Sequence, residues 1–174
     1  MPKYRVRRHE VTQPQDKSIR LIPLTQNFNA IVDAADYDWL NQWNWCVKWS
    51  VDRFYVCRRG EDGKIIKMHR FILGVKKGEY VDHRSGDPLD NRRANIRKCT
   101  LSENNCNRAM SRKNTSGFTG VWFEKRRNKW IAEICHSHGK KVYLGQFDSP
   151  EEAAKAHDEA AKQLHGEFAC INHA

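Results

Sequence analysis

Apolar and polar positions in the first part of the chain follow the two-residue period of β-strands. Ile19 to Leu24 is a short apolar run that predicts a strand, and Pro23 confines it to an edge or an end of a sheet. Tryptophans alternate with other residues from Trp43 to Trp49, and the alternation resumes from Phe54 to Arg58 after a turn near residues 50–53. This pattern predicts a hairpin with one buried face. We expect the tryptophans to belong to the core rather than to a base-stacking platform.

The middle of the chain has the order strand, polar loop, strand and helix. Residues 79–83 and 95–99 are short extended segments, and residues 84–94 form the polar loop between them. Thr100 stands three residues before Glu103, which is the capping-box pattern of a helix start. We therefore expect a helix from Leu101 to about Met110.

The last part of the chain predicts three strands followed by one helix. The strands are expected at Thr119–Glu124, Lys129–His136 and Lys141–Phe147. Ser149-Pro150-Glu151-Glu152 combines a serine cap with proline at the first helical position, and Gly166 is expected to end the helix. A stripe of small residues would let the helix lie close to the sheet; its members are Ala153, Ala156, Ala160, Ala161 and Leu164.

Together these patterns predict an α+β protein with two domains. The first domain would span residues 1–111, with an N-terminal α+β region supporting the strand–loop–strand–helix unit. Residues 112–117 form a polar, basic linker, and residues 118–174 form the second domain.

Charge is unevenly placed along the chain. The net charge is +10, and residues 105–143 carry 9 basic and 2 acidic side chains, whereas residues 144–174 carry 2 basic and 6 acidic ones. A basic block beside an acidic segment indicates a surface for an anion, most plausibly nucleic acid. Charge alone does not distinguish RNA from DNA, so an RNA-binding protein remains an alternative.

Composition argues against membrane and secreted classes. No apolar run of about 18 residues occurs, and the basic arm Lys3 to Arg8 is not followed by the apolar stretch of a secretory signal. The six cysteines lack paired C-x-x-C spacing, so we expect free thiols in a cytoplasm. Cys99 and Cys106 are the pair that a short turn could bring together.

The adjacent residues Asp82 and His83 are the candidate catalytic pair. Histidine is a suitable base for activating water, because its pKa lies near neutrality. A hard divalent ion prefers carboxylate and amide oxygens, which Asp82 and Asn104 could supply. Side chains of neighbouring strand residues diverge, so one could hold a metal while the other faces a substrate. An isolated Asp-His pair is usually only a surface or hydrogen-bonded pair, and the surrounding residues decide the interpretation.

Those surrounding residues resemble a known motif. Asp82-His83, Asn91, Asn95-Ile96-Arg97 and Asn104-Asn105 are similar in order and spacing to the HNH nuclease motif. The resemblance covers residues 65–110 and is closest to HNH homing endonucleases of phages and introns.

The resemblance implies the ββα-metal (His-Me finger) fold and a role for each residue. His83 would be the general base, Asp82 and Asn104 the metal ligands, and Asn95 a brace for the loop. One Mg²⁺ or Mn²⁺ ion would lie in each active site, and the products would carry 5′-phosphate and 3′-hydroxyl ends. His69 is an alternative ligand, although we favour a structural hydrogen bond for it.

Residues 116–172 resemble the apetala/ethylene-response-factor DNA-binding domain of plants, which also occurs attached to phage HNH nucleases. The resemblance implies a three-stranded antiparallel sheet packed on one helix, with the sheet in the major groove. The motifs that carry it are Gly117-Phe118-Thr119-Gly120-Val121, Lys129-Trp130-Ile131-Ala132-Glu133-Ile134, Tyr143-Leu144-Gly145-Gln146-Phe147 and Glu151-Glu152-Ala153-Ala154.

The expected DNA contacts come from the sheet, its turns and the preceding basic segment. At three positions, Thr119, Trp122 and Glu124, the chain departs from the basic residues typical of plant members, so the fold transfers better than the target sequence. The complete set is Arg108, Arg112, Lys113, Thr119, Trp122, Glu124, Lys125, Arg126, Arg127, Lys129, Lys140, Lys141 and Tyr143.

These patterns lead to the hypothesis of a metal-dependent DNA endonuclease, a site-specific nicking homing enzyme of phage origin. The expected partner is double-stranded DNA, with no membrane and no small-molecule substrate. The chain is expected to be a monomer in the cytoplasm of a bacterial host. The alternative is a non-catalytic DNA-binding regulator that retains a nuclease fold.

Overall fold

The computed structural model describes residues 8–50, 53–107, 110, 114–135 and 140–172, without the side chains of Ser50 and Arg53. It divides into two compact units, Met1–Lys98 and Cys99–Ala174. This division lies before the domain boundary predicted near residue 111, because the helix that follows Cys99 belongs to the second unit. The domain bounds stay a prediction. Among the described residues, no helix combines the length and the apolar character needed to cross a membrane.

The first unit begins with a two-stranded antiparallel sheet and a helix. Strand β1 (Ile19–Pro23) pairs with β2 (Asn29–Asp33), and α1 (Ala34–Asn41) follows directly. Pro23 is the last residue of β1, as predicted. Asp33 precedes α1 without making a side-chain cap.

A three-stranded antiparallel sheet follows, with β3 (Cys46–Ser50), β4 (Arg53–Arg59) and β5 (Ile65–Lys67), and then helix α2 (Met68–Ile72). The pairing of β3 with β4 confirms the predicted hairpin. Apolar side chains from these elements and from β1, β2 and α1 form one core. Its buried members are Ile22, Leu24, Ala30, Val32, Leu40, Trp45, Val47, Val56, Met68, Ile72 and Ile96.

The tryptophans only partly follow the core prediction. Trp45 is buried in the core, but Trp49 is 54% exposed, so the prediction is wrong for Trp49. Trp49 pairs with Phe54 beside the hairpin turn. Trp43 is half-buried and lies under the guanidinium of Arg58, which is 3.9 Å from the ring centroid.

Two short strands and a helix follow, in the order that the sequence predicts. Strands β6 (Tyr80–His83) and β7 (Ile96–Cys99) form a two-stranded sheet, and α3 (Leu101–Cys106) comes next along the chain. The capping box of α3 is confirmed: Thr100 Oγ1 accepts from the Glu103 N–H at 3.2 Å, and Glu103 Oε2 accepts from the Thr100 N–H at 2.7 Å. The helix ends earlier than predicted because Asn107 departs from helical geometry.

The second unit has the predicted three-stranded sheet and single long helix. Strands β8 (Val121–Glu124), β9 (Lys129–Cys135) and β10 (Lys141–Phe147) form an antiparallel sheet in the order β10-β9-β8. Helix α4 (Pro150–His165) packs on it and is capped by Ser149 Oγ, which accepts from the Glu152 N–H at 3.2 Å. Gly166, at φ +52°, ends α4 and opens a short 3₁₀ helix, Gly166–Phe168.

The buried side of α4 differs from the predicted stripe. Of the five predicted residues, Ala153 and Ala161 are buried, Ala156 and Ala160 are only half-buried, and Leu164 is exposed. Ala153, His157 and Ala161 lie four residues apart and are buried, as are Ala154 and Asp158 on the adjoining row. Leu164 is outside this four-residue spacing and is 41% exposed, so its assignment to the buried stripe was wrong. The helix therefore meets the sheet with alanines and two polar residues.

All six cysteines are free thiols, which confirms that part of the expectation. The sequence singled out Cys99 and Cys106, but the structure brings a different pair face to face. Cys46 and Cys57 are directly opposite on β3 and β4, with their Sγ atoms 3.9 Å apart.

Candidate active site and nucleic-acid interface

The sheet of β6 and β7 places Asp82 against Arg97. Asp82 Oδ2 accepts hydrogen bonds from Arg97 Nε at 3.0 Å and from a terminal guanidinium nitrogen at 2.8 Å. Both side chains are more than nine-tenths buried. A buried carboxylate requires compensation of its charge, and Arg97 supplies it. Sequence analysis noted Arg97 only as part of a motif and did not identify this ion pair.

His83 is half-buried at the end of β6. Its Nε2 lies 3.5 Å from Oδ1 of Asn91. Burial lowers the pKa of His83, while the hydrogen bond to Asn91 and neighbouring carboxylates oppose that shift. The imidazole is therefore neutral near pH 7, which is the protonation state that a general base needs.

The ring of His69 packs against the ring of His83. The two rings meet edge to face, with centroids 4.8 Å apart and an interplanar angle of 78°. His69 is buried, and its Nδ1 has no hydrogen-bond partner in the part of the chain that the structure describes. Burial lowers the pKa of His69 to about 3. His69 is thus a neutral packing partner of His83, and sequence analysis did not anticipate this contact.

Asn95 connects the two sides of the loop between β6 and β7. Its Oδ1 accepts from the Ser85 N–H at 2.9 Å, and its Nδ2 donates to the Asp90 carbonyl at 2.7 Å. The Asn95 carbonyl also accepts from the Arg84 N–H at 2.8 Å. These are the bonds that a brace of this loop requires. A contribution of the brace to catalysis stays a prediction.

The N-terminal elements hold the same loop from the other side. Ile31 of β2 donates its N–H to the Leu89 carbonyl at 2.9 Å and accepts from the Asn91 N–H at 2.8 Å. The Arg93 guanidinium binds both carboxylate oxygens of the buried Asp36, at 2.8 and 2.9 Å. The sequence predicts only that the N-terminal region supports the strand–loop–strand–helix unit. The described part of that region anchors the loop that follows His83.

The predicted metal ligands agree with Mg²⁺ in donor type. Asp82 offers a carboxylate and Asn104 an amide oxygen, both hard ligands, and Mg²⁺ commonly binds one or two such groups together with water and substrate phosphate. The ion pair with Arg97 means that a metal would share the Asp82 carboxylate with a guanidinium. Within the described ranges, no group of three or more His, Cys, Asp or Glu side chains is placed to hold a metal ion.

Asn104 lies on α3 in the second unit and is half-buried. Its neighbour Asn105 is exposed on the same helix. The role of Asn104 as a metal ligand stays a prediction.

The sheet of the second unit presents one face away from α4. Val121 and Ala132 pack on the helix together with Ala153 and Ala154. Trp122 and Glu124 lie on the face of β8 opposite to Val121. Glu124 is paired with Lys129 on β9. Two large side chains predicted to contact DNA are exposed, with Trp122 at 42% and Tyr143 at 56%. An exposed aromatic pair on a sheet is suited to contact with a groove or with bases.

Several of the predicted basic contacts form ion pairs within the second unit. Lys141 Nζ lies 2.9 Å from a Glu133 oxygen, and Arg127 Nε lies 3.7 Å from a Glu124 oxygen. Lys129 pairs with Asp148. Exposed pairs of this kind are weak, so a phosphate can compete for the cations. The remaining predicted cations of the turns, Lys125, Arg126 and Lys140, are exposed.

Thr119 is held differently from the other predicted contacts. It is half-buried, its N–H donates to Asn172 Oδ1 at 2.7 Å, and its carbonyl accepts from Asn172 Nδ2 at 3.2 Å. Three further predicted contacts, Arg108, Arg112 and Lys113, lie outside the described residues.

Residues 116–167 match the AP2 domain family, which confirms the resemblance stated for this part of the chain. Dehydration-responsive element-binding protein 1G of Oryza sativa subsp. japonica is 47% identical over 60 residues, or 33% of this chain and 25% of the relative. The AP2-like ethylene-responsive transcription factor TOE2 of Arabidopsis thaliana is 43% identical over 61 residues, or 35% of this chain and 12% of the relative. The chain thus spans a quarter or less of these two plant proteins.

A phage protein is similar over a longer stretch. Protein 3.8 of Escherichia phage T7 is 33% identical over 95 residues, or 55% of this chain and 77% of the relative. This stretch is longer than the AP2 match, so at least part of it lies outside residues 116–167. The AP2 domain makes the second unit a module that binds double-stranded DNA.

Proposed function

We propose that this chain, which belongs to the family of protein 3.8 of Escherichia phage T7 and contains an AP2 DNA-binding domain, is a metal-dependent DNA endonuclease. In this proposal the AP2 domain binds the duplex and the residues around His83 cut one strand. With one active site in a monomer, the product would be a nick. A phage-encoded enzyme of this kind would act in the cytoplasm of the bacterial host.

The observation that carries the nuclease proposal is the constraint on His83. It ends β6, contacts Asn91 and His69, and precedes a loop that Asn95 braces at both sides. A half-buried imidazole held in one orientation is suited to accept a proton from a neighbouring water.

The reaction assigns separate tasks to the residues of the chain. His83 accepts the proton of the attacking water, and Asp82 would hold the metal ion, with Asn104 as the predicted second ligand. The ion, when bound, offsets negative charge on the phosphate and on the leaving oxygen. Arg97 holds the Asp82 carboxylate in place in the buried sheet through two hydrogen bonds. Cations of the second unit bind backbone phosphates and hold the duplex.

One observation favours a second candidate, a non-catalytic DNA-binding regulator. Asp82 Oδ2 is committed to two hydrogen bonds from Arg97. If this pair excludes a metal, the first unit serves only to recognise or position DNA. The two candidates share DNA binding and differ in cleavage.

A cleavage assay with separately labelled strands distinguishes these candidates. We expect the full-length protein with Mg²⁺ to nick supercoiled plasmid and phage DNA, and chelation of the metal to stop the reaction. His83→Ala should lower the single-turnover rate about 10²- to 10⁴-fold with unchanged DNA affinity. Asn104→Ala should lower it as well, while the matched control Asn105→Ala on the exposed position beside it should not. Full cutting by His83→Ala, or none by the wild type on either DNA, would reject the nuclease proposal.

A binding assay tests the interface separately from cleavage. Fluorescence anisotropy on a labelled duplex should show log affinity falling steeply with log salt, by about 0.9 for each phosphate contact. Trp122→Ala and Tyr143→Ala should weaken binding, because both side chains are exposed on the sheet. Leu164→Ala, at an exposed apolar position on α4, is the matched control. Equal affinity for all three variants would exclude the sheet as the interface.

A further inference from the structure

Asn91 is the only polar residue among the largest fully buried side chains of the described structure, and directed bonds fix it on several sides. Its Nδ2 donates to the Pro88 carbonyl at 3.1 Å and to the Leu89 carbonyl at 3.0 Å. Its backbone N–H donates to the Ile31 carbonyl at 2.8 Å. The side chain therefore has one well-defined position at the end of the loop that follows His83.

These bonds also decide which way the Asn91 amide points. A side-chain amide has two N–H donors on one atom and an acceptor on the other. Rotating the amide by half a turn would bring its oxygen against the carbonyls of Pro88 and Leu89, which are acceptors too. The unrotated amide alone satisfies the buried groups. Oδ1 is consequently the atom that faces His83 Nε2.

An oxygen acceptor at this place constrains the chemistry of the imidazole. A neutral imidazole has one N–H and one lone pair, and an acceptor beside one ring nitrogen favours the proton there. Asn91 Oδ1 can accept but cannot donate, so it stabilises the proton on Nε2. The lone pair of the neutral ring is then on Nδ1.

We propose that Asn91 is a positioning residue that fixes the Nε2–H tautomer of His83 and so makes Nδ1 the proton-accepting atom. The part concerning proton acceptance rests on the proposed nuclease function, whereas the tautomer does not. His69 supports the same arrangement, because its ring edge limits rotation of the His83 ring. Asn95 has a different task, since within the described residues its side chain bonds to backbone atoms of Ser85 and Asp90 and not to His83.

The first test reads the tautomer of His83 in the wild-type protein. Full-length protein labelled with ¹⁵N-histidine is examined by long-range ¹H–¹⁵N correlation at about pH 8, above the reference histidine pKa of about 6.5. The His83 signals, assigned by their loss in His83→Gln, should show a protonated Nε2 and an unprotonated Nδ1. The opposite pattern, or equal populations of both tautomers, would overturn the proposal.

The second test removes the acceptor. Asn91→Leu is similar in size and should mix the two tautomers and lower the single-turnover cleavage rate about 10- to 100-fold, with DNA affinity unchanged. If Asn91→Leu keeps both the tautomer and the rate, the positioning role is wrong; if it does not fold, the wild-type spectrum decides.

The two readouts separate this inference from the proposed function. A wild-type protein that shows the Nε2–H tautomer but cuts no DNA would reject the nuclease and leave the tautomer assignment standing. A protein that cuts DNA with the proton on Nδ1 would reject the inference and leave the nuclease standing.

Discussion

Gly120, just before β8, offers a quantitative test of how α4 is seated on its sheet. Its φ is +73°, and a Cβ at this position would lie 2.2 Å from His157 Cδ2 and 2.5 Å from the Glu133 carbonyl oxygen. His157 is buried on α4, and Glu133 donates its N–H to the Gly120 carbonyl at 2.8 Å. The backbone of residue 120 is thus pressed against both the helix and the neighbouring strand.

The expected cost of Gly120→Ala has two parts. A non-glycine residue at positive φ costs on the order of 1–3 kcal/mol. The collision with a buried ring and a backbone carbonyl adds about 1–3 kcal/mol, because neither can move without disturbing packing. Gly117→Ala is the matched control, since its φ is +79° and a Cβ there would meet nothing within 4 Å. The difference between the two variants, about 1–3 kcal/mol, isolates the collision.

Hydrogen exchange of the β9 amides measures this difference in full-length protein, because these amides report opening of the second unit. Gly120→Ala should accelerate their exchange more than Gly117→Ala does, by about 5- to 150-fold. DNA affinity should decline in the same order. Equal acceleration in both variants would refute the close approach of residue 120 to His157.

Three other substitutions probe separate parts of the structure. Asp36→Ala should lower the melting temperature of the first unit, because it removes the buried carboxylate that binds the guanidinium of Arg93, while the exposed Asp38→Ala should not; equal melting would contradict a stabilising ion pair. The pKa of His69 is lowered to about 3, so the folded state binds fewer protons than the unfolded chain between about pH 3 and 6.5. The free energy of unfolding of the first unit should therefore fall as pH drops below about 6.5. In urea titrations at several pH values, His69→Gln should reduce the slope of this free energy against pH by up to about 1.4 kcal/mol per pH unit. An unchanged slope would contradict burial of a neutral ring. Asn172→Ala should destabilise the second unit by about 1–3 kcal/mol in the same exchange measurement, and unchanged β9 protection would show that the C-terminal bonds contribute nothing.

Features encoded by neighbouring residues could be predicted from the sequence. The start of α3 follows from Thr100 and Glu103, and the start of α4 from Ser149 and Pro150, because each cap is satisfied within one helical turn. The three strands of the second unit were likewise evident from alternation and turns. The end of α3 could not be predicted, since no strong stop signal such as glycine follows it.

Features that depend on distant partners could not be predicted. The period-two pattern treats Trp45 and Trp49 alike, and only the extent of the core decides that one is buried and the other exposed. Asp36 and Arg93 are 57 residues apart, and no local pattern pairs them. The ion pair of Asp82 with Arg97 depends on the register of β6 against β7 across a long loop.

The same limit applies to the candidate site. The motif around His83 was visible as spacing, and its residues were assigned roles by resemblance. Asn91 was visible as a position of the motif, but its contact with His83 was not evident, because the spacing of a motif does not show which side chains of a loop meet. Its full burial is a property of the folded loop.

The strand β2 has a consequence for the modularity of this chain. Ile31 exchanges two backbone hydrogen bonds with the segment around Asp90. A strand some sixty residues upstream thus holds the loop after His83 in place. A recombination event or a graft that moved residues 65–111 alone would break those bonds and expose the core side of β2. The candidate site therefore needs β1, β2 and α1 together with residues 65–111. Insertions that preserve function should occur outside these segments.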